Sequence, residues 1–537
     1  MAKLRLILIL ALLCGSAFAT TRTSASCSQS DVATTVALAA TNDTTIISAT
    51  GSPCTWTTLV TSTVSQTIQC ASGVSIVLSA SDFITFDYHI NDNGVEQVLN
   101  CALSGSANSS AILIQGKPNH FRISGNTFTN IGHHAGFIGT QADSFPPCYP
   151  IYGSFDNNTW NETNTASEMI LVGGCNENWR SANTMGTSSA VFVWANTCNY
   201  NGNGYNNSVV CLDAGSGAQL VFAFNTINQA WVSFHDTGSN PSSRATRQFE
   251  VHDNITHCSK GATSNTCGAM MDLRGGTGRA FNNKVDIDVT GANGWGLGSS
   301  TEIYRIATVG GEPFNFTTGN QSHGVCNYTY ESFRLGCSND QSVCYSNGTA
   351  CGGASGTCTD SCTTNANCGG GTATNSCVSP VAFDGPGTGG SLGYPSRDQT
   401  GVGPDAANNN AVQTAAGDPV VIWGNTNPLA GNALVTPFVT VAGLDSNFIQ
   451  ANRDYYEQPS SFTCATGVGN GLLASRPAAA GCTNGVYWWE SDHNQLDQMV
   501  AGAWVNAVYV PLSNDPFIPS NGPTLNGAFT LTTGTFN

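Results

Sequence analysis

Five residues in this chain have the types that do acid–base chemistry when brought together: Asp213, His235, Asp236, Asp272 and Arg274. They sit near the ends of short apolar runs that close in a glycine turn, Val209-Val-Cys-Leu-Asp-Ala-Gly, Trp231-Val-Ser-Phe-His-Asp-Thr-Gly and Ala269-Met-Met-Asp-Leu-Arg-Gly-Gly. A fourth run of the same kind, Met169-Ile-Leu-Val-Gly-Gly, precedes them. If these runs stack as neighbouring strands, each step adds about 4.8 Å, placing Asp213 about 5 Å from Asp236 and about 10 Å from Asp272. Carboxylates at the shorter separation suit a retaining glycosidase, and those at the longer one lie near the inverting range. The same cluster permits elimination on an acidic glycan, with Asp213, Asp236 and Asp272 holding Ca2+ against the substrate carboxylate. Arg244, Arg247 and Arg274 fall in this neighbourhood although the chain has only 17 Lys plus Arg, and such a group can also clamp an anionic sugar. Trp231 offers a ring for stacking on a sugar. The competing reading is structural: Asp before Gly caps turns, and Arg274 then pairs with Asp272 or Asp236.

Other residues invite chemistry less. Glu250 and His252 alternate with Phe249 and Val251, so they face outward on a strand, where a solvated face is the ordinary outcome. His133-His134 carry no matching carboxylate motif and read as a loop. Trp488-Trp489 serve either sugar stacking or packing of a terminal cap. Gly275-Gly-Thr-Gly278 lacks the Lys-Ser/Thr that a phosphate loop needs, and a turn explains it.

The elements that position these residues are written in asparagine. Six segments share two alternating apolar residues, then Asn, then Thr or an apolar residue, with the Asn at 126, 158, 196, 225, 254 and 283. Their spacings are 32, 38, 29, 29 and 29 residues, and equal spacing at the end of the series is the mark of a repeat. Each unit holds at least two short strands and no helical period. Strands so short cannot bury an apolar face alone, and coiling, so that each pairs with its equivalent one turn later, solves this. Asn tolerates a left-handed corner and can hydrogen-bond to its equivalents above and below. A β-sandwich with Asn-rich loops is the rival, but it does not generate equal spacing.

Composition narrows the partners and the compartment. Only 9% of residues are charged, against roughly 25% on average, and the formal charge is −17. Nucleic acid and anionic membrane surfaces are poor partners for such a chain, because both need clustered basic side chains. Lys3 and Arg5, the apolar run Leu6 to Leu13 and Ala17-Phe18-Ala19 read as a secretory signal peptide, residues 1–19. Cys14 offers a lipoprotein site, which the bulky Leu13 before it disfavours. No later segment holds 18 uninterrupted apolar residues, so no transmembrane segment is expected. Cleavage removes one of 21 Cys and leaves an even number, which in an exported chain favours disulfides over zinc.

With the repeat in place, the run from Asn126 to Asn283 resembles the right-handed parallel β-helix of the pectate-lyase-like superfamily. Ser30 before a helix at Asp31–Ala40, then strands at Thr44–Ser48 and Cys54–Trp56, is similar to that superfamily's capping helix and first turn. The resemblance implies an all-β solenoid and a secreted protein acting on extracellular polysaccharide as a lyase or glycoside hydrolase, with Ca2+ as a cofactor of the lyase form. It also implies an arginine base, for which Arg274 or Arg247 is placed. The chain carries neither the paired Asp nor the Gly-His-Gly of polygalacturonases, and no pectate-lyase-like Asp cluster, so activity does not follow from fold. The alternative is a non-catalytic glycan-binding or adhesin-like solenoid. The expected layout is a β-helix over 20–325, a cysteine-rich insertion over 326–378, an irregular Gly/Pro-rich segment over 379–419, and last rungs with an aromatic C-terminal cap over 420–537. Ile303–Ile306 and Val420–Asn425 read as further rungs, and Cys464 and Cys482 as closing the cap.

Overall fold

Apolar residues alternate with polar ones along many of the early short strands, a pattern that buries one side chain in two, whereas strands such as Val191–Trp194 and Gln219–Ala223 are buried at every position. In the computed structural model the described strands form three long sheets of 12, 11 and 10 strands, parallel except for the last pair of the 11-stranded one, which the chain visits in turn. Thr44–Ile47 belongs to the first sheet, Cys54–Trp56 to the second and Val60–Ser62 to the third, and Thr67–Cys70 then returns to pair in parallel with Thr44–Ile47. This order is compatible with a parallel β-helix solenoid. The structure describes residues 19–287 and 398–507 apart from short internal segments (235–243, 259–269 and position 274 among them), together with 304–306, 343–346 and 375–378.

The core lies between the sheets and is built from aligned columns. On the first sheet, Ile123, Phe155, Val193, Phe222, Val251, Ala280 and Ile422 stand level on successive strands, all fully buried. Each rung thus adds apolar area that neither neighbour could bury alone.

The corner from the first sheet to the second carries the asparagines as a continuous ladder. The backbone N–H and the Nδ2 of Asn126, Asn158, Asn196, Asn225, Asn254 and Asn283 each donate to Oδ1 of the next Asn, ending at Asn425, at 2.8–3.1 Å. Nδ2 also donates to a strand carbonyl, as in Asn225 to Val193 O at 3.0 Å. The left-handed backbone falls on the residue before each ladder position, Gly125, Asn157, Ala195, Phe224, Asp253, Asn282 and Gly424, with φ between +53° and +70°. The ladder Asn is therefore selected for its amide rather than for tolerance of a left-handed corner.

At the N-terminal end a helix spans Gln29–Ala37, and its cap is Ser28, whose Oγ accepts from Asp31 N–H at 3.3 Å. Capping thus comes two residues earlier than the Ser30 expected from sequence. Disulfides join Cys27–Cys54, Cys70–Cys101, Cys198–Cys211 and Cys464–Cys482, and Cys175 is disulfide-bonded as well. The expected late rungs are strands Tyr304–Ile306 in the third sheet and Val420–Trp423 in the first, the latter paired with Arg279–Phe281. Within 326–378 the described part is the antiparallel pair Val343–Ser346 and Asn375–Val378. A separate four-stranded sheet, Val468–Gly471, Tyr487–Glu490, Gln495–Val500 and Ala503–Ala507, lies C-terminal to these rungs. Its Tyr487 and Trp489 pack with Phe281, Val421 and Trp423, on the outward side of the first sheet's last strands. Residues 1–18, most of the expected signal peptide, lie outside the described residues. Among the described residues no helix is long and apolar enough to cross a membrane.

Candidate functional site

The glycine-ended runs form the third sheet, as strands Ala166–Gly173, Ser208–Gly215, Trp231–Phe234 and Met271–Leu273. Leu212, Val232 and Phe234 point into the core, so their neighbours Asp213 and Ser233 face out. One outward column reads Leu113, Phe137, Leu171, Asp213 and Ser233, and Ser233 is level with Asp272 on the next strand. Asp213 and Asp272 are thus two strands apart in register, about 10 Å by backbone spacing. Asp272 is placed by its strand, and its side chain is not among those described.

The residue level with Asp213 on the next strand is Ser233, not Asp236. The register shifts between Val210 and Leu212, where Val210 pairs with Trp231 and Leu212 with Val232, leaving Cys211 as an extra residue. Cys211 is fully buried and bonded to Cys198 of the second sheet. A disulfide that draws one residue inward accounts for the bulge and re-aims the side chains after it. His235, Asp236 and Arg274 lie outside the described residues.

Beside this column runs a second one: Ser110, His134, Glu168, Val210 and Trp231. Trp231 is 6% exposed, and its buried indole Nε1 has no hydrogen-bond partner. A buried donor without an acceptor is uncommon and calls for an explanation. Farther along, His134 Nε2 lies 3.1 Å from Glu168 Oε2, and His134 Nδ1 lies 3.4 Å from Ser110 Oγ. Sequence reading assigned His134 to a loop and passed over Glu168. The structure puts both on one strand-borne face with Asp213. Half-buried Phe137 and Leu171 separate the His–Glu pair from Asp213 along the face. Chemically, this face offers a buried carboxylate, a partly exposed His–carboxylate pair able to move a proton, and apolar surface for a ring.

Arg244 and Arg247 are placed elsewhere, at the corner leading from the third sheet to the first. Arg244 is 1% exposed and grips Asp398 through Nε and Nη2 at 2.6 and 2.5 Å. Arg247 is fully buried, with Nη2 3.0 Å from Asp418. Burial pulls its pKa down, an effect the Asp418 carboxylate opposes. Both guanidinium groups lie over the Trp179 ring, at 5.2 and 5.0 Å from its centre. Their geometry is that of a buried structural knot, and neither presents its charge to solvent. Trp179, Asp398 and Asp418 are far away in sequence, so no local pattern announced them.

Glu250 and His252 do face outward from the first sheet, yet they are 1% and 5% exposed rather than solvated. Among the described residues no three His, Cys, Asp or Glu side chains converge in a way that would hold a metal ion. Of the three residues suggested for Ca2+, Asp213 is the one whose side chain is described. No family model, no curated protein and no solved structure matches the chain.

Proposed function

We propose that this is a secreted, right-handed parallel β-helix protein of the pectate-lyase-like superfamily, acting on an extracellular polysaccharide along the outward face of its third sheet. Three features support the assignment to that class: the coil through three parallel sheets, the buried Asn ladder, and the strong preference of parallel crossovers for the right-handed form. The disulfides and the signal-peptide-like residues 1–19 support secretion.

The observation that carries the functional reading is the strand register that sets Asp272 two strands from the outward Asp213, beside the buried Trp231 whose indole N–H lacks an acceptor. Carboxylates two rungs apart leave room for a water beside a glycosidic bond, which suits hydrolysis with inversion. In that reaction one carboxyl protonates the leaving oxygen and the other activates the water. The lyase form of the proposal uses Arg274 as base, with Ca2+ held by Asp213, Asp236 and Asp272. Its distinguishing property is loss of activity on chelation. His235, next to Asp236 in sequence, completes the proposed set.

Incubation with a panel of acidic and neutral glycans tests this, following reducing ends and unsaturated-product absorbance with and without chelator. New reducing ends without absorbance indicate hydrolysis; absorbance abolished by chelator indicates the lyase. No turnover of any glycan contradicts an enzymatic role.

A second reading, glycan binding without catalysis, is favoured by the second sheet. Its outward columns read Thr127, Thr159, Thr197, Thr226 and Thr129, Asn161, Asn199, Asn228, uncharged and half-exposed to exposed. Asn228 Nδ2 donates to Asn199 Oδ1 at 2.6 Å, and Asn199 Nδ2 to Asn161 Oδ1 at 2.9 Å. Such a regular neutral wall suits a surface or a long polymer, and retention on insoluble glycan without turnover is its signature.

A further inference from the structure

Arg279 stands on the first sheet, one strand before Val420–Trp423, and its side chain points away from the core, as the inward placement of Ala280 requires. It is 9% exposed, and its buried Nε has no hydrogen-bond partner. Among the described residues no carboxylate is ion-paired with it. A guanidinium taken out of water without a counter-charge is costly, and natural proteins supply a partner.

Its surroundings add further buried ring nitrogens without a hydrogen-bond partner. In the next outward column His252, Phe281 and Trp423 stand level on successive strands and stack, with ring centres 4.7 and 4.4 Å apart. His252 Nε2 and Trp423 Nε1 are both buried and lack hydrogen-bond partners, while His252 Nδ1 is held by Asp253 at 2.9 Å. The C-terminal sheet closes over this region through Tyr487 and Trp489. Arg279 lies close enough to Tyr487 to oppose the upward shift that burial imposes on its phenol. The acidic groups nearby are Glu250, level with Arg279 on the preceding strand, and Asp418, which is engaged by Arg247.

We infer that the face between the first sheet and the C-terminal sheet is a binding site for a small carboxylate-bearing molecule, with Arg279 as its anchor and the Trp423 ring N–H as a further donor. The planar guanidinium matches a carboxylate two bonds at a time, which a spherical anion cannot reproduce. This site is on a different face from the proposed polysaccharide groove and stands whether or not that reading holds.

Thermal unfolding and tryptophan fluorescence of the full chain test it, using acetate, glucuronate, glucose and chloride at matched ionic strength. Saturating glucuronate or acetate is expected to raise Tm by about 2–4 °C and to change the emission of the Trp423–Trp489 pair, whereas glucose and chloride do neither. Equal responses to acetate and glucuronate assign recognition to the carboxylate alone, and a larger response to glucuronate adds its ring; both support the site. Arg279→Met, with its fold checked by circular dichroism, is expected to abolish the response. Arg279→Lys, which keeps charge but loses the fork, is expected to weaken the response at least about tenfold. No response in the parent chain, or a response that survives in Arg279→Met, overturns the inference. So does a destabilised Arg279→Met in a parent that ignores carboxylates, because that pattern belongs to a purely structural arginine.

Discussion

Glu96 shows how much a single side chain can differ from its sequence appearance. It lies level with Phe121 on the first sheet and points inward with Val98, 2% exposed. Burial first, and the Asp92 carboxylate second, push its pKa up to about 9. The folded chain therefore holds a proton through neutral pH that the unfolded chain has released above about 4.3. That contribution is complete below the ordinary carboxylate range and is lost as pH rises toward 9. Glu96→Gln is expected to raise stability at pH 7 by roughly 1–3 kcal/mol and to flatten the fall in Tm between pH 5 and 9. Denaturant titration across that range checks it. Nothing in the sequence flagged Glu96, because its strand precedes the first ladder Asn. The two arginines were misread for a related reason. Arg244 and Arg247 look like free cations in a chain with few of them, and the Asp398 and Asp418 that neutralise them come only after the long insertion.

At the scale of elements the ladder was the most legible feature. Buried amides must pair with their equivalents, which imposes an Asn at each corner and so prints a period on the sequence. Asn225→Ala removes the acceptor for Asn196 N–H and the donor to Val193 O together. It is expected to cost roughly 2–4 kcal/mol, measurable as a lower urea midpoint. Asn161→Ala, on the outward ladder of the second sheet, is expected to cost less than about 1 kcal/mol, since water replaces the lost bond. The third sheet was legible as strands but not in register. Counting back from the closing glycines sets Asp236 beside Asp213, whereas the register makes Ser233 the neighbour, and the bulge at Cys211 accounts for one residue of that three-residue difference. A bulge is invisible to a period-two pattern, and the disulfide that produces this one joins two cysteines whose pairing the sequence left open. His134 and Glu168 were missed because their rungs are among the two with unequal spacing.

For the whole molecule, low charge and even cysteine content pointed to a cross-linked coil; of the bridges between described cysteines, Cys198–Cys211 lies within the ladder and three lie outside it. Cys27–Cys54 and Cys70–Cys101 precede Asn126, and Cys464–Cys482 comes after Asn425. Reduction is thus expected to loosen the two ends first. A falling Tm with hydrogen exchange rising in 21–106 and 455–507 before 191–283 is the expected record, at roughly 2–5 kcal/mol per bridge. Uniform loss of protection contradicts it. The expected aromatic cap proved to lie on the flank of the first sheet's last strands, where outward Val421 and Trp423 present an apolar surface that water would not tolerate.

The proposed polysaccharide site on the third sheet is tested most directly by one paired comparison. On whichever glycan the parent chain turns over, kcat/KM is measured for Asp213→Asn, on the third sheet, and Thr159→Lys, on the second. The account predicts a loss of about 100-fold or more for Asp213→Asn, with its fold intact by circular dichroism, and little change for Thr159→Lys. Full activity in Asp213→Asn, or loss confined to Thr159→Lys, contradicts it.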